Sequence, residues 1–304
     1  MLIVAALGGN ALSKRTESLD ADAVEHNIKI AAAALADLAR AHELVITHGN
    51  GPQIGLLALQ SEAFRDVRTY PLDVLGAETE GMVGYLLERE LGNVLGDRPI
   101  ASLITQTVVD VLDPAFQRPT KPIGPVYSAD RAKALARERG WSVAPDGNDW
   151  RRVVASPTPR AIVELPTIRL LLDHGVVVVC AGGGGVPVII DSEGSRHGVE
   201  AVVDKDLASA LLARQLDADL LLLLTDVAAV ETGWGTPGAR QLRQVSESEL
   251  ERLRFEPGTM GPKVRAATWF VRSTRRRAAI GALADAAAIV AGDAGTTVTE
   301  NGAS

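Results

Sequence analysis

The sequence predicts an α/β fold with a mainly parallel central sheet covered by helices on both faces, and three observations carry that reading. Short apolar runs alternate with helical patterns from the outset: Leu2–Leu7, an Ala/Leu-rich helix over about 20–41, a run over 44–47, then a second helical stretch. The runs at 176–180 and 220–224 are apolar without alternation, as strands covered on both faces are. The helix over 20–41 sets Val24, Ile28, Ala31, Leu35 and Leu38 at three- and four-residue steps, which gives it one stripe to lay on a sheet.

The second helical region, Leu72–Leu95, is apolar on more than one side through Val74, Leu75, Met82, Val83, Leu86, Leu87 and Leu91. Such breadth suits a buried core helix or a subunit contact. The segment 113–160 then breaks the rhythm with Pro114, Pro119, Pro122, Pro125, Pro145, Pro157 and Pro159, and holds only a short predicted helix, 128–139. It reads as an insertion within a single domain spanning 1–304. From 118 to 160 nine Lys/Arg face four Asp/Glu, a basic balance in a chain of net charge −7. A basic lid over an anionic ligand accounts for that; so does a solvated helix with Arg131, Glu138 and Arg139 on its surface. Lys121 stands apart from the helix, in a Pro-Thr-Lys-Pro setting that restricts its backbone.

Composition excludes several classes. A length of 304 residues with 46% hydrophobic side chains is enough for a sizeable core. The net negative charge opposes nucleic-acid binding. A single cysteine, Cys180, permits neither an internal disulfide nor a cysteine metal cluster, and the five histidines lack zinc-site spacing, so no protein metal site is expected. No apolar stretch reaches the ~18 residues of a membrane span, and the first residues carry no basic lead, so a cytoplasmic location is expected.

Four turns follow apolar strands: Gly8-Gly9-Asn10, His48-Gly49-Asn50-Gly51-Pro52, the glycines at 182–185, and Thr225-Asp226. In an open parallel sheet such turns line one edge, where ligands bind beyond the carboxyl ends of the strands. Glycine lets backbone N–H groups approach an anion, and phosphate is the natural guest. Any one of these turns alone is more often a plain strand-to-helix connection. P-loop, Rossmann and protein-kinase signatures are all missing. The second half adds Asp204-Lys205-Asp206 at the head of a helical run over 206–216, and Lys263 at the start of another helix. A lysine at a helix start opposes the macrodipole, and an anion held between two of them would resolve the conflict. An exposed Asp-Lys-Asp turn is the plain alternative.

Taken in order, ALGGNAL, ITHGNGPQIGLLALQ, PTKPIGP, CAGGGGVPV, GVEAVVDKDLAS, LTDV and GTMGPK resemble the carbamate kinase family over nearly the whole chain. The resemblance implies a three-layer α/β/α sandwich of the amino acid kinase fold with a mainly parallel central sheet, a protruding lid subdomain at 113–160, and a homodimer. It implies reversible transfer of a phosphoryl group from ATP to carbamate, giving ADP and carbamoyl phosphate, in arginine or nitrogen catabolism. Carried over residue by residue, Lys121, Lys205 and Lys263 fall in the active site with Asp206 organising the lysines. Gly8, Gly9, Asn10, Gly49, Asn50 and Gly51 surround the transferred group and carbamate, while Gly182, Gly183, Asp204, Thr225, Asp226 and Met260 fall on the nucleotide side. Similar sequences often read TDVDAV after the fourth strand, where this one has Ala228, which puts a nucleotide contact in doubt; GNDWRRVV around Trp150 is also less glycine-rich than the usual form.

The chemistry fits that set. Carbamate is already an anion, so its attacking oxygen has no proton to lose and the site needs no general base; His48 is expected only to position its loop. What the reaction needs is suppression of repulsion between two negative reactants, in-line placement, and donors for charge on the phosphoryl oxygens. Mg2+ is expected on the ATP phosphates, held through them and water. Two other readings stay open: a kinase of another small carboxylate, which would need a group to bind an α-amine, and a non-catalytic nucleotide sensor.

Overall fold

The computed structural model describes residues 1–12, 20–63, 70–236, 238–253, 255 and 260–301. In chain order the strands are β1 (Leu2–Leu7), β2 (Glu43–His48), β3 (Ile100–Ser102), β4 (Gln106–Val109), β5 (Lys121–Tyr127), β6 (Ser142–Asp146), β7 (Asp149–Val154), β8 (Pro159–Ile162) and β9 (Val177–Val179). They continue with β10 (Val186–Ile190), β11 (Arg196–Gly198), β12 (Leu220–Thr225), β13 (Val230–Thr232), β14 (Arg240–Leu242), β15 (Gln244–Ser246), β16 (Arg277–Ala282) and β17 (Thr296–Thr299). The helices are α1 (Gly9–Leu12), α2 (Ala21–Ala41), α3 (Gly51–Ala63), α4 (Leu72–Leu95), α5 (Ala129–Arg139), α6 (Leu165–Asp173), α7 (Lys205–Gln215), α8 (Glu247–Arg252), α9 (Met260–Thr274) and α10 (Ala286–Ala291).

The eight-stranded sheet runs β15-β17-β16-β12-β1-β2-β9-β3, and its one antiparallel pair is β16 with β17. Because side chains alternate along a strand, β1 feeds two cores. Ile3, Ala5 and Leu7 pack with Ile28 and Leu35 of α2 and Leu87 of α4, whereas Val4 and Ala6 pack on the other face with Ala210 of α7 and Phe270 of α9. That is the expected three-layer α/β/α sandwich, and it explains why β9 and residues 220–224 of β12 are apolar at every position.

Local signals set several boundaries. Asp20 caps α2 by accepting the Ala23 N–H at 2.9 Å, and Ser128 caps α5 through the Arg131 N–H. In α4 one stripe is buried, including Leu75, Val83, Leu87 and Leu91, while Met82 and Tyr85 are exposed; the breadth seen in sequence thus divides between core and a free face.

The segment 113–160 needs a correction. It contains more than the one predicted helix: β5, β7 and β6 form an antiparallel three-stranded sheet with α5 packed on it. Prolines hid the strands. β5 is an edge strand, and its register with β7 shifts between Ile123 and Val126, so Gly124 and Pro125 sit in a bulge where no ladder N–H is needed. The end of the segment enters a different sheet, in which β8 pairs antiparallel with β4.

Candidate active site

The four glycine- and threonine-bearing turns end four adjacent parallel strands, β12-β1-β2-β9. Their proximity is tight: Gly8 N donates to Leu224 O at 2.8 Å and Gly49 N to Leu7 O at 3.0 Å, continuing the ladder past the strand ends. A Cβ on Gly49 would stand 2.9 Å from Gly9 N, so only glycine lets the first two turns touch.

Beyond these turns lies a cleft of about 230 Å3. It brings together Gly8, Gly9, Gly49, Asn50, Gly51, Lys121, Gly183, Asp204, Lys205, Asp206, Thr225 and Lys263. Sequence reasoning missed Ile54, Pro122, Ile123, Val202, Val203 and Pro262, which also line it and supply apolar wall together with Pro52 of the second turn. The signal was available in part, since all the missed residues but Ile54 lie within two residues of Lys121, Asp204 or Lys263. Gly182, Asp226 and Met260 are not on the cleft wall: Gly182 lies behind it against His48 and Glu80, Asp226 accepts from the Thr225 hydroxyl at 3.0 Å, and Met260 packs on the α7/α9 core. The Asn10 side chain, and Gly258 and Thr259 of the GTMGPK motif, lie outside the described residues. Gly183 abuts the Asn50 amide, on the opposite side of β1 from Thr225.

Three ammonium groups from three elements converge on two carboxylates. Asp206, buried in the first turn of α7, pairs through Oδ1 with Lys205 and through Oδ2 with Lys263 of α9, the latter at 3.3 Å. Asp204 caps α7 with Oδ1, accepting the Asp206 and Leu207 N–H groups at 3.0 and 3.2 Å, and its Oδ2 accepts Lys121 Nζ at 2.8 Å. The helix-start lysines are therefore offset by carboxylates where the macrodipole disfavours them. Burial raises the Asp206 pKa, but Lys205 and Lys263 outweigh it and hold the carboxyl well below its usual range. Burial together with Lys263 lowers the Lys205 pKa, against the pull of Asp206. Three cations against two anions leave these five groups with net positive charge, the sign that two mutually repelling anions require.

His48 is fully buried and off the cleft; its Nδ1 lies 3.2 Å from Gly49 O, and burial drives its pKa down to about 4. It is neutral and occupied with its own loop. A larger groove, about 900 Å3, runs between the outward faces of α7 and α9 and contains none of the three lysines. Among the described residues no group of three His, Cys, Asp or Glu could hold a metal, and no helix is long and apolar enough to cross a membrane.

The profile of the amino acid kinase family matches residues 1–282. A carbamate kinase of Rhizobium meliloti is 55% identical over 304 residues, covering 99% of this chain and 94% of the relative. The carbamate kinase of Escherichia coli K12 is 50% identical over 297 residues, covering 98% and 99%. Among solved structures, carbamate kinase from Giardia lamblia bound to AMP-PNP superposes with a TM-score of 0.90 at 38% identity, covering 98% of both chains. On family profile, near-full-length identity and superposition together, the chain belongs to the amino acid kinase family and, within it, to the carbamate kinases.

Proposed function

We propose that the chain catalyses reversible phosphoryl transfer between ATP and carbamate, giving ADP and carbamoyl phosphate. The observation that carries the reading is the meeting of Lys121, Lys205 and Lys263 over Asp204 and Asp206 at the carboxyl ends of β12, β1 and β2. No general base is called for, and the one histidine nearby is neutral and buried. Catalysis rests instead on charge and placement. Lys263 and Lys205 stabilise charge on the transferring phosphoryl group and the leaving oxygen. The backbone amides of the Gly8 and Gly49 turns bind the phosphoryl group, and Lys121 meets the carbamate end. Asp206 keeps two ammonium groups close despite their repulsion, and releases neither because both its oxygens are engaged.

The nucleotide lies toward Thr225 and Asp226 beyond β12, and the acceptor toward Asn50 beyond β2; Gly183, expected from the resemblance on the nucleotide side, is reassigned with its turn to the acceptor side because it abuts the Asn50 amide beyond β9. Asp204 and Asp206 are both paired with lysines, so the residues present fit Mg2+ that arrives on the nucleotide phosphates rather than in a protein cage. When bound, Mg2+ supplies neutralisation of the β- and γ-phosphate charge. The β5-β7-β6 sheet with α5 acts as a lid: Lys121 at its edge reaches Asp204, and Arg152 of β7 reaches Glu200 at 3.2 Å. The exposed face of α4 with Met82 and Tyr85 serves a homodimer contact, and the enzyme works in the cytoplasm in arginine or nitrogen catabolism.

The test is to supply ADP, Mg2+ and carbamoyl phosphate and measure ATP. ATP formation that depends on all three supports the reading; ADP binding with no turnover overturns it in favour of a nucleotide sensor.

A further inference from the structure

Thr79 and Glu80 are neighbours on α4, both fully buried, and neither lines the cleft. Each ties down a different wall of it. Thr79 Oγ1 donates its proton to Gly76 O at 2.9 Å, one turn back in the same helix, and accepts Asn50 Nδ2 at 2.8 Å. A hydroxyl has one proton, so with that proton committed inside the helix Oγ1 can only accept from Asn50. In this arrangement the Asn50 amide presents its nitrogen to Thr79, and a flipped amide would require the hydroxyl to leave Gly76 O and donate to Asn50 instead.

Glu80 holds the facing wall. Its Oε1 accepts Gly182 N at 2.8 Å and Thr105 Oγ1 at 2.5 Å, and its Oε2 accepts Thr105 N at 3.2 Å. The same Thr105 hydroxyl accepts Ala181 N at 2.5 Å, and Ala181 has a left-handed φ of 49°, unusual for a residue with a Cβ. The entry to the glycine turn Gly182–Gly184 is thus fixed by ties that run back to one carboxyl group. The two walls then meet, since a Cβ on Gly183 would fall on the Asn50 amide. A buried carboxyl that touches none of the three lysines has no part in neutralising the reactants, so its presence calls for another reason.

We propose that Thr79 and Glu80 are positioning residues for the phosphoryl acceptor, acting through the Asn50 amide and the Gly182–Gly184 turn that together bound the acceptor end of the cleft. The inference rests on the reading of this cleft as the carbamate site. Thr79 sets which end of the Asn50 amide faces the substrate. Glu80 sets how close the glycine turn stands to it.

The experiment measures ATP formation from ADP, Mg2+ and carbamoyl phosphate for the full-length wild type, Thr79→Val, Thr79→Ser and Glu80→Gln, with a melting curve for each. Valine keeps the shape of threonine and removes both hydrogen bonds; serine keeps the hydroxyl. Thr79→Val is expected to raise KM for carbamoyl phosphate about tenfold, the effect of one lost hydrogen bond of ordinary strength, while KM for ADP moves less than about twofold. Thr79→Ser should return KM for carbamoyl phosphate toward the wild-type value. Glu80→Gln, which puts an NH2 group against N–H donors, should split the two KM values in the same direction. A purely structural role would lower the melting temperature without that split. With wild type active, KM values that rise together, or do not move in Thr79→Val, overturn the positioning role and leave the carbamate kinase reading intact. A wild type that forms no ATP overturns that reading instead. Should Glu80→Gln not fold, the Thr79 pair decides the matter alone.

Discussion

Lys263 Nζ stands 3.3 Å from Asp206 Oδ2, while the other oxygen of the same carboxylate holds Lys205, so one buried anion is shared by two buried ammonium groups on the cleft wall. Asp206→Asn removes that charge with almost no change of shape. The two ammoniums are then left buried without the carboxylate that both contact, and breaking a buried pair of this kind destabilises by roughly 3–5 kcal/mol. Urea unfolding should show a loss of that order, and turnover should fall with it. A variant as stable as wild type would mean that the lysines relax outward to solvent and that Asp206 is not their organiser.

Removing the cations separates their roles. Lys205→Ala and Lys263→Ala should each lower kcat by about 10²-fold or more, as loss of one charged donor to a transferring group does. Near-normal turnover in either would refute its assignment.

Asp204 performs two tasks that can be divided. Its Oδ1 caps α7 and its Oδ2 holds Lys121. Asparagine is as good an N-cap as aspartate, whereas alanine loses about 0.5–2 kcal/mol. Asp204→Asn and Asp204→Ala should therefore share a kinetic defect in carbamoyl phosphate use, and only the alanine variant should melt early. Equal melting temperatures would deny the cap; normal kinetics in both would deny that the Lys121 pair matters to the closed cleft.

What was legible in the sequence and what was not follow a physical division. The four strand-end turns could be read because apolar runs end in glycine or Thr-Asp and parallel strands put such ends on one edge; that β12, β1, β2 and β9 are neighbours is visible only in the folded sheet. Lys205 and Lys263 could be read because lysine at a helix start contradicts the macrodipole. The strands of 113–160 could not, since Pro122, Pro125 and Pro145 occupy edge or bulge positions and erase the alternation. Nor could Thr79 and Glu80: in α4 they look like ordinary polar positions of a helix, and they acquire partners outside it only when the helix lies against the Asn50 turn, Thr105 and the Gly182 turn. The Lys121–Asp204 pair spans 83 residues of sequence and is visible only once the small sheet is in place.

Helix α3 touches the small sheet at a point with no room for a methyl group. A Cβ on Gly55 would lie 2.6 Å from Gly124 Cα, a backbone atom in the β5 bulge three residues beyond Lys121. Gly55→Ala should push β5 away, cost roughly 1–3 kcal/mol as overpacking does, and raise KM for carbamoyl phosphate by displacing Lys121. Gly92→Ala in α4 meets nothing within 4 Å and should be neutral or stabilising by up to about 1 kcal/mol. Similar behaviour of the two variants in melting and kinetics would show that the α3–β5 contact yields freely.

The buried pair His48 and Glu80 gives the stability a pH dependence whose sign can be worked out. Burial pushes the Glu80 carboxyl up to about 8 despite its three donors, and burial takes His48 down from 6.5 to about 4. Between pH 4.5 and 8 folded Glu80 keeps a proton that the unfolded chain has lost, so its contribution is full below 4.5 and falls as pH rises toward 8. Between pH 4 and 6.5 unfolded His48 binds a proton that the folded form refuses, so its contribution is full above 6.5 and falls as pH drops. The two slopes oppose each other from 4.5 to 6.5, and Glu80 acts alone from 6.5 to 8. Glu80→Gln cannot ionise, so the stability of wild type relative to this variant, measured by urea unfolding, should decline steadily across pH 6.5 to 8. A difference that stays flat over that window would mean that the carboxyl ionises inside the fold near its ordinary value, with the Gly182 and Thr105 donors outweighing burial.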